Sequence, residues 1–329
     1  MDRSPAVRLI SLAAAALLVS GCAQASSART GAAATPSASA GSTSPMLPTT
    51  PSTSGAPSAA PTTASQAPSP TASAPAPGVR VSSLVGRWAV IAKGEPATTR
   101  LILNGTAGLS VYRHCGSIDG SWRAAPQGAF VNSLSGGSQA CFDSPRTDLS
   151  SLPWLWKAHG FRTVTGGWLL LDANGRELAR LTPGDKPYLP PTILASEADP
   201  PSLSRAEAAK LDRPPVGLPA GLTTATAESL AGTWLPVDGT RGYLTLTAAG
   251  DWHGSDGCNR SSGSWTVLDG GAVLATIGPT TLVLCTGTQV PLDFAGAAAA
   301  GFDGKVLNLV DAAGQVTLRL QRGSAPVTP

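Results

Sequence analysis

Histidine is nearly missing from this chain, with three among 329 residues, at positions 114, 159 and 253. Structural zinc takes four Cys or His ligands, commonly as close Cys-x-x-Cys pairs. No such pair occurs, and His253 stands alone five positions before Cys258, so no metal and no other cofactor is expected. There is no Gly-x-Ser-x-Gly elbow, no P-loop and no dinucleotide fingerprint, which leaves neither a serine-hydrolase set nor a nucleotide site to assemble. Formal net charge is only +3, and one of those charges belongs to the first eight residues (Asp2, Arg3, Arg8). Without a basic stripe, neither nucleic acid nor a polybasic membrane patch is an expected partner. Beyond the leader no apolar run approaches the roughly 20 residues of a bilayer span.

What is present begins with a processing signal. Arg3 and Arg8 give a short positive region, Ile10 to Val19 is uncharged and mostly apolar, and Ser20-Gly21 supplies small residues for a peptidase. Val19-Ser20-Gly21-Cys22 looks like the bacterial lipobox, in which the cysteine is acylated and becomes the first mature residue. An ordinary secretory signal ending near a cysteine is the alternative. Without a twin-arginine pair, the general secretory route is expected. Residues 1–21 thus read as a lipoprotein signal peptide. The mature chain is expected on the extracytoplasmic face of the cell membrane, with the membrane as its partner through lipid on Cys22.

Residues 22–78 form the lipidated cysteine and a tether of Ala, Ser, Thr, Pro and Gly whose only charge is Arg29. Such a segment has too little bulky apolar surface to offset its ordering entropy and is expected to be disordered. A coil of that length spans roughly 40 Å on average, and its prolines push it longer. Its Ser/Thr/Pro density also permits O-glycosylation.

With Cys22 assigned to lipid, four cysteines remain: Cys115, Cys141, Cys258 and Cys285. An even number in an oxidising compartment reads as disulfides, and four cysteines permit three connectivities. An internal repeat selects among them. Leu84-Val85-Gly86-Arg87-Trp88 recurs as Leu230-Ala231-Gly232-Thr233-Trp234. Cys115 followed by Gly120-Ser121-Trp122 recurs as Cys258 followed by Gly263-Ser264-Trp265. Cys141 and Cys285 follow at closely similar distances. Two related copies with one internal disulfide each is the economical reading, and each bridge should stabilise its copy by about 3 kcal/mol.

The pattern within each copy is mainly β. Tyr243 to Thr247 alternates with period two, as a half-buried strand does. Trp265–Leu268, Asp269-Gly270-Gly271 and Ala272–Ile277 read as a hairpin, and Asn174-Gly175 marks another. One helix per copy is expected, near Leu149–Ala158 and near Leu292–Ala300, each with a proline close to its start. The fold class is therefore mainly β (α+β): two tandem small antiparallel sheets or barrel-like domains, each with about one helix and one disulfide. The copies span 79–181 and 228–322. Between them, 182–227 is a Pro-rich linker, or an arm packed on one copy, with a capping box at Ser204 and Glu207. A tail, 323–329, follows.

This motif set resembles the META/HslJ domain family. Copy two carries Leu230, Gly232 and Trp234; Gly257-Cys258-Asn259; Gly263 and Trp265; Thr280-Thr281-Leu282-Val283-Leu284-Cys285; and a closing hairpin from Leu307 to Leu320. Copy one, 79–181, is a diverged META-like domain, with His114-Cys115-Gly116 in place of Gly-Cys-Asn and Ser138-Gln139-Ala140 before Cys141. The resemblance implies small, mostly β, exported domains of bacterial lipoproteins, some linked to stress or antibiotic tolerance, with no agreed enzymatic activity.

Function is weighed among three classes. Asp251, His253 and Asp256 cluster near Cys258 and would be the base and carboxylates of a wall or glycan hydrolase; a glycine-rich polar turn is the plainer explanation. His114 beside Cys115 would lower a thiol pKa only if that cysteine were free. All eight tryptophans lie within the copies. Trp88/Trp234 and Trp122/Trp265 recur at matched positions, which argues for core packing. Trp154, Trp156, Trp168 and Trp252 do not recur; of these Trp154, Trp156 and Trp252 are the candidate ligand contacts, with Trp154 and Trp156 on different faces of their helix. The expectation is a non-enzymatic surface lipoprotein that binds an envelope component or partner protein, or serves in stress tolerance. Carriage of a lipid or apolar small molecule in a barrel mouth is the alternative.

Overall fold

In the computed structural model of the protein, the described residues are 79–138, 141, 152–191, 193–281, 283 and 287–325. The leader, Cys22, the tether, Cys285 and residues 326–329 lie outside them.

Leu84-x-Gly86-x-Trp88 opens the first sheet for a local reason. Val81–Leu84 makes one 3₁₀ turn, Leu84 is fully buried, and the Trp88 indole N–H donates to the Leu84 carbonyl at 2.8 Å. From there run β1 (Gly86–Ala92), β2 (Arg100–Leu103), β3 (Gly108–Arg113), β4 (Gly116–Ala124) and β5 (Phe130–Gly137), then a one-turn helix α1 (Pro153–Trp156), then β6 (Gly160–Val164), β7 (Gly167–Leu171) and β8 (Glu177–Pro183). The eight strands pair antiparallel in the order β5-β4-β3-β2-β1-β8-β7-β6. The two edges then meet: Ala129 bridges Gly160, and Phe130 N–H donates to the His159 carbonyl at 3.0 Å. The sheet closes on itself, and closure removes exposed edges.

The second copy repeats this plan. A helix α2 (Arg205–Leu211), a two-residue strand β9 (Thr223–Thr224) and a turn α3 (Ala227–Leu230) precede β10 (Gly232–Pro236). Trp234 donates to the Leu230 carbonyl at 2.7 Å, as Trp88 does to Leu84. Then follow β11 (Tyr243–Leu246), β12 (Asp251–Ser255), β13 (Arg260–Val267), β14 (Val273–Ala275), α4 (Val290–Gly296), β15 (Ala299–Asp303), β16 (Val306–Val310) and β17 (Val316–Arg322). The order is β14-β13-β12-β11-β10-β17-β16-β15-β9, closed by Ala272 against Ala299. The mainly β expectation holds, with one described disulfide from Cys115 to Cys141. Cys258 is also disulfide-bonded.

Both closed sheets are filled. Leu101, Leu103, Val111, Ile118, Trp122, Phe130 and Leu155 pack inside the first at 0–1% exposure. Trp234, Leu244, Trp252, Phe294, Leu307 and Leu320 do so in the second, also at 0–1%. A barrel carrying an apolar ligand needs an open lumen, and among the described residues these side chains occupy it.

Three expectations are corrected. The helices are shorter than the sequence suggests: α1 covers only Pro153–Trp156, and α4 runs Val290–Gly296. Residues 149–151 lie outside the described set. Alanine-rich Ala297–Ala300 is not helical, because Ala298 N–H donates to Val310 and Ala299 begins β15; sheet closure overrides intrinsic helix propensity. Finally, the segment 182–227 packs on both copies rather than one. Ala198 is buried against Ile102 and Tyr112, and Asp212 accepts from Ser82 N–H and Oγ at 2.8 and 2.6 Å. At its other end β9 extends the second sheet beside β15, and Leu218 packs over Gly301. The Ser204–Glu207 capping box is formed and starts α2.

The two sheets pack against each other through equivalent strands, β4 and β5 of the first on β13 and β14 of the second. Ser121 pairs with Ser133 in the first copy, and Ser264 hydrogen-bonds Thr276 in the second. These positions meet each other. Ser133 Oγ lies 2.5 Å from Thr276 Oγ1, Ser264 N–H donates to Ser133 Oγ at 3.1 Å, and Ser121 Oγ donates to the Ile277 carbonyl at 3.0 Å. A self-complementary patch on each repeat has become the joint between repeats.

Candidate functional site

Beside this joint lies a cleft of about 200 Å³, walled by Trp156, Lys157 and His159 of the first copy and by Gly250, Asp251 and Ser264 of the second. The sequence places its parts locally. Pro153 fixes the first turn of α1, Trp154 and Leu155 turn inward, and Trp156 is left 52% exposed. His159 follows, its backbone held in the closure of the sheet by N–H donation to Leu171 and acceptance from Phe130. Across the cleft, Gly250 has φ +92, and a Cβ there would fall 3.1 Å from His159 Cε1. Only glycine allows that turn and that approach together. Asp251 then starts β12 with an exposed side chain. Among the described residues the side chains of Lys157, His159 and Asp251 take part in no hydrogen bond or ion pair. Polar groups of both signs therefore face the cleft unengaged.

The base of α1 is tied down. Glu95, whose side chain is 2% exposed, accepts from Trp154 Nε1 at 2.7 Å, from Arg113 Nε and Nη2 at 2.8 and 2.6 Å, and from Thr99 Oγ1 at 2.7 Å. This network holds the turn that presents Trp156.

Two of the three candidate ligand contacts are corrected. Trp154 is 3% exposed, because its indole N–H reaches the buried Glu95. Trp252 is 1% exposed: it occupies the inward position of β12, donates to the Thr276 carbonyl at 2.9 Å and stacks edge-on against Phe294. Trp156 stands as the exposed ring. Trp122, Trp234 and Trp265 are core residues, as their recurrence suggests.

The hydrolase residues do not converge. Asp251 and His253 share the outward face of β12, two positions apart, without a hydrogen bond between them, and His253 lies edge-on to Tyr243. Asp256 is buried and committed to its turn, accepting from the N–H groups of Cys258 and Asn259 at 2.8 and 2.6 Å and from Asn259 Nδ2 at 2.9 Å. Burial pulls its carboxyl upward, but these hydrogen bonds outweigh it and hold it below the ordinary carboxylate range. Asn259 in turn clips the Thr281–Val283 segment, accepting from Val283 N–H at 2.7 Å and donating to its carbonyl at 2.8 Å. His114 stacks on Tyr188, and its neighbour Cys115 is oxidised to Cys141, so no thiolate forms there. Among the described residues no group of three metal-ligating side chains gathers, and no helix is long and apolar enough to cross a membrane.

Sequence reasoning singled out Trp156 and Asp251 separately but missed Lys157, His159 and Ser264 as their companions. A comparison of the copies supplies the signal. Matched backbone hydrogen bonds equate His159 with Ala298 and Gly250 with Ala107: His159 N–H donates to Leu171 as Ala298 does to Val310, and Trp122 N–H donates to Ala107 as Trp265 does to Gly250. Ala158 N–H donates to Leu155 as Ala297 does to Phe294, so Trp156 and Lys157 correspond to Ala295 and Gly296, and Asp251 to Gly108. Each cleft residue that bears a ring or a charge is thus answered in the other copy by alanine or glycine. No family model, no curated protein and no solved structure matches the chain.

Proposed function

We propose that the protein is an exported lipoprotein, held to the membrane through Cys22, that binds an envelope component at the cleft between its repeats without chemical turnover. The observation that carries this reading is the one-sided furnishing of the cleft. A half-exposed tryptophan, an unpaired lysine, an unpaired histidine and an unpaired aspartate converge there, while the equivalent positions carry only alanine and glycine. The export leader and the long tether, read from sequence, support delivery of such a module into the cell wall. The META/HslJ resemblance supports the same class of exported, non-enzymatic β domain. No cofactor is required.

The test is retention of the purified full chain, in detergent, on an isolated bacterial envelope fraction. Wild type is expected to be retained and to release no fragments of the envelope. Trp156→Ala should cut retention about tenfold, as removal of an exposed aromatic anchor does. Equal retention of both proteins would contradict the cleft reading.

A further inference from the structure

We infer that the cleft holds one ring of a neutral saccharide, stacked on Trp156 and hydrogen-bonded between Lys157 and Asp251. The inference rests on the binding reading above and names its ligand class.

The chemistry of the walls excludes the simpler alternatives one by one. An apolar ligand or lipid tail would return no hydrogen bond to the exposed Asp251 and Lys157 groups that line the cleft. An anion such as phosphate would meet the Lys157 ammonium but also the Asp251 carboxylate, and a cation would meet the reverse. Neither charge of the cleft is neutralised internally, since no ion pair joins them. A ligand that both donates and accepts without net charge satisfies all of the groups. Sugar hydroxyls do this at adjacent ring positions: Asp251 accepts, Lys157 donates, and the His159 imidazole and Ser264 hydroxyl each do either.

The exposed ring in the cleft fits the same ligand. The Trp156 indole presents a flat apolar face with an electron-rich quadrupole, suited to the C–H face of a sugar ring. One aromatic platform beside a few polar groups in a cleft of about 200 Å³ is the scale of one ring, with the rest of a chain left in solvent. Gly250 contributes by absence: its missing Cβ lets His159 lie against the backbone at the floor of the cleft.

The experiment measures binding of the full chain to three neutral tetrasaccharides, of N-acetylglucosamine, of mannose and of galactose, by calorimetry and by indole fluorescence. A sugar-free wall stem pentapeptide and phosphatidylglycerol vesicles are run alongside. At least one tetrasaccharide is expected to bind, with affinity lowered about tenfold by Trp156→Ala and by Asp251→Asn and restored in part by Trp156→Phe. Circular dichroism and thermal midpoints unchanged from wild type show that the exposed substitutions leave the fold intact. Tetrasaccharide binding indifferent to Trp156 and Asp251 overturns the inference. So does binding of the peptide or the vesicles alone, or of nothing in the panel. If Trp156-dependent retention on the envelope persists while every tetrasaccharide fails, the saccharide class falls and the binding module stands.

Discussion

Alanine at Gly263 is expected to cost about 3 kcal/mol or more of stability, and alanine at Gly120 a similar amount. Both belong to the recurring Gly-Ser-Trp triplet. A Cβ at Gly263 would lie 2.1 Å from the Thr276 carbonyl oxygen and 2.7 Å from Trp252 Nε1; at Gly120 it would lie 2.1 Å from the Ser133 carbonyl oxygen. Ser133 lies in β5 and Thr276 directly follows β14, and these backbone oxygens cannot swing aside as a side-chain tip would. Each strand pair must part, and Thr276 and Ser133 are the residues that meet across the joint at 2.5 Å. The damage should therefore spread from one sheet to the contact between sheets. Gly136 is the control: it has open space around its missing Cβ, and alanine there should shift stability by no more than about 0.5 kcal/mol. Denaturant unfolding of the three variants measures the difference. A Gly263→Ala protein as stable as Gly136→Ala would refute the close-approach account.

The second large effect is at Arg113. Its guanidinium makes a bidentate pair with a carboxylate that is 2% exposed, and removing one member of such a pair typically costs about 3–5 kcal/mol. Arg113→Ala leaves Glu95 buried with only Thr99 and Trp154 as donors. Most of the loss comes from that stranded charge, so it should shrink in a Glu95→Gln background, where no charge remains to strand. A double-mutant cycle reads the coupling. Equal losses in the two backgrounds would show that the carboxylate charge is not what Arg113 stabilises. The same network ties stability to the proposed cleft, because Glu95 anchors Trp154 and so positions the turn that carries Trp156.

Much of this architecture is legible in the sequence, for identifiable physical reasons. Leu-x-Gly-x-Trp recurs because each tryptophan caps the turn before its strand, through Leu84 and Leu230. Gly-Ser-Trp recurs because its three positions perform three tasks, with glycine under a neighbouring carbonyl, serine at the joint and tryptophan in the core. Hairpin turns and the Ser204 cap are local, and local signals survive folding. Trp252 has no repeated partner to mark it as core, although strict alternation between exposed Asp251 and His253 places it inward, and its equivalent Leu109 is also buried. The cleft was not legible. Trp156 and Asp251 are distant in sequence and meet only because two repeats associate through equivalent strands. Nothing in the spacing of either residue reports that association. The Ala297–Ala300 stretch reads as helix in sequence because its strand role is set by Val310 across the sheet, which propensity cannot see.

The most direct test of the account is hydrogen–deuterium exchange of the full chain with and without solubilised envelope material. Protection is expected in two peptides far apart in sequence, one covering Pro153–His159 and one covering Ala249–Asp251, with the faces of β8 and β17 unchanged. Protection confined to either repeat alone, or located away from both segments, would contradict a binding site built between the repeats.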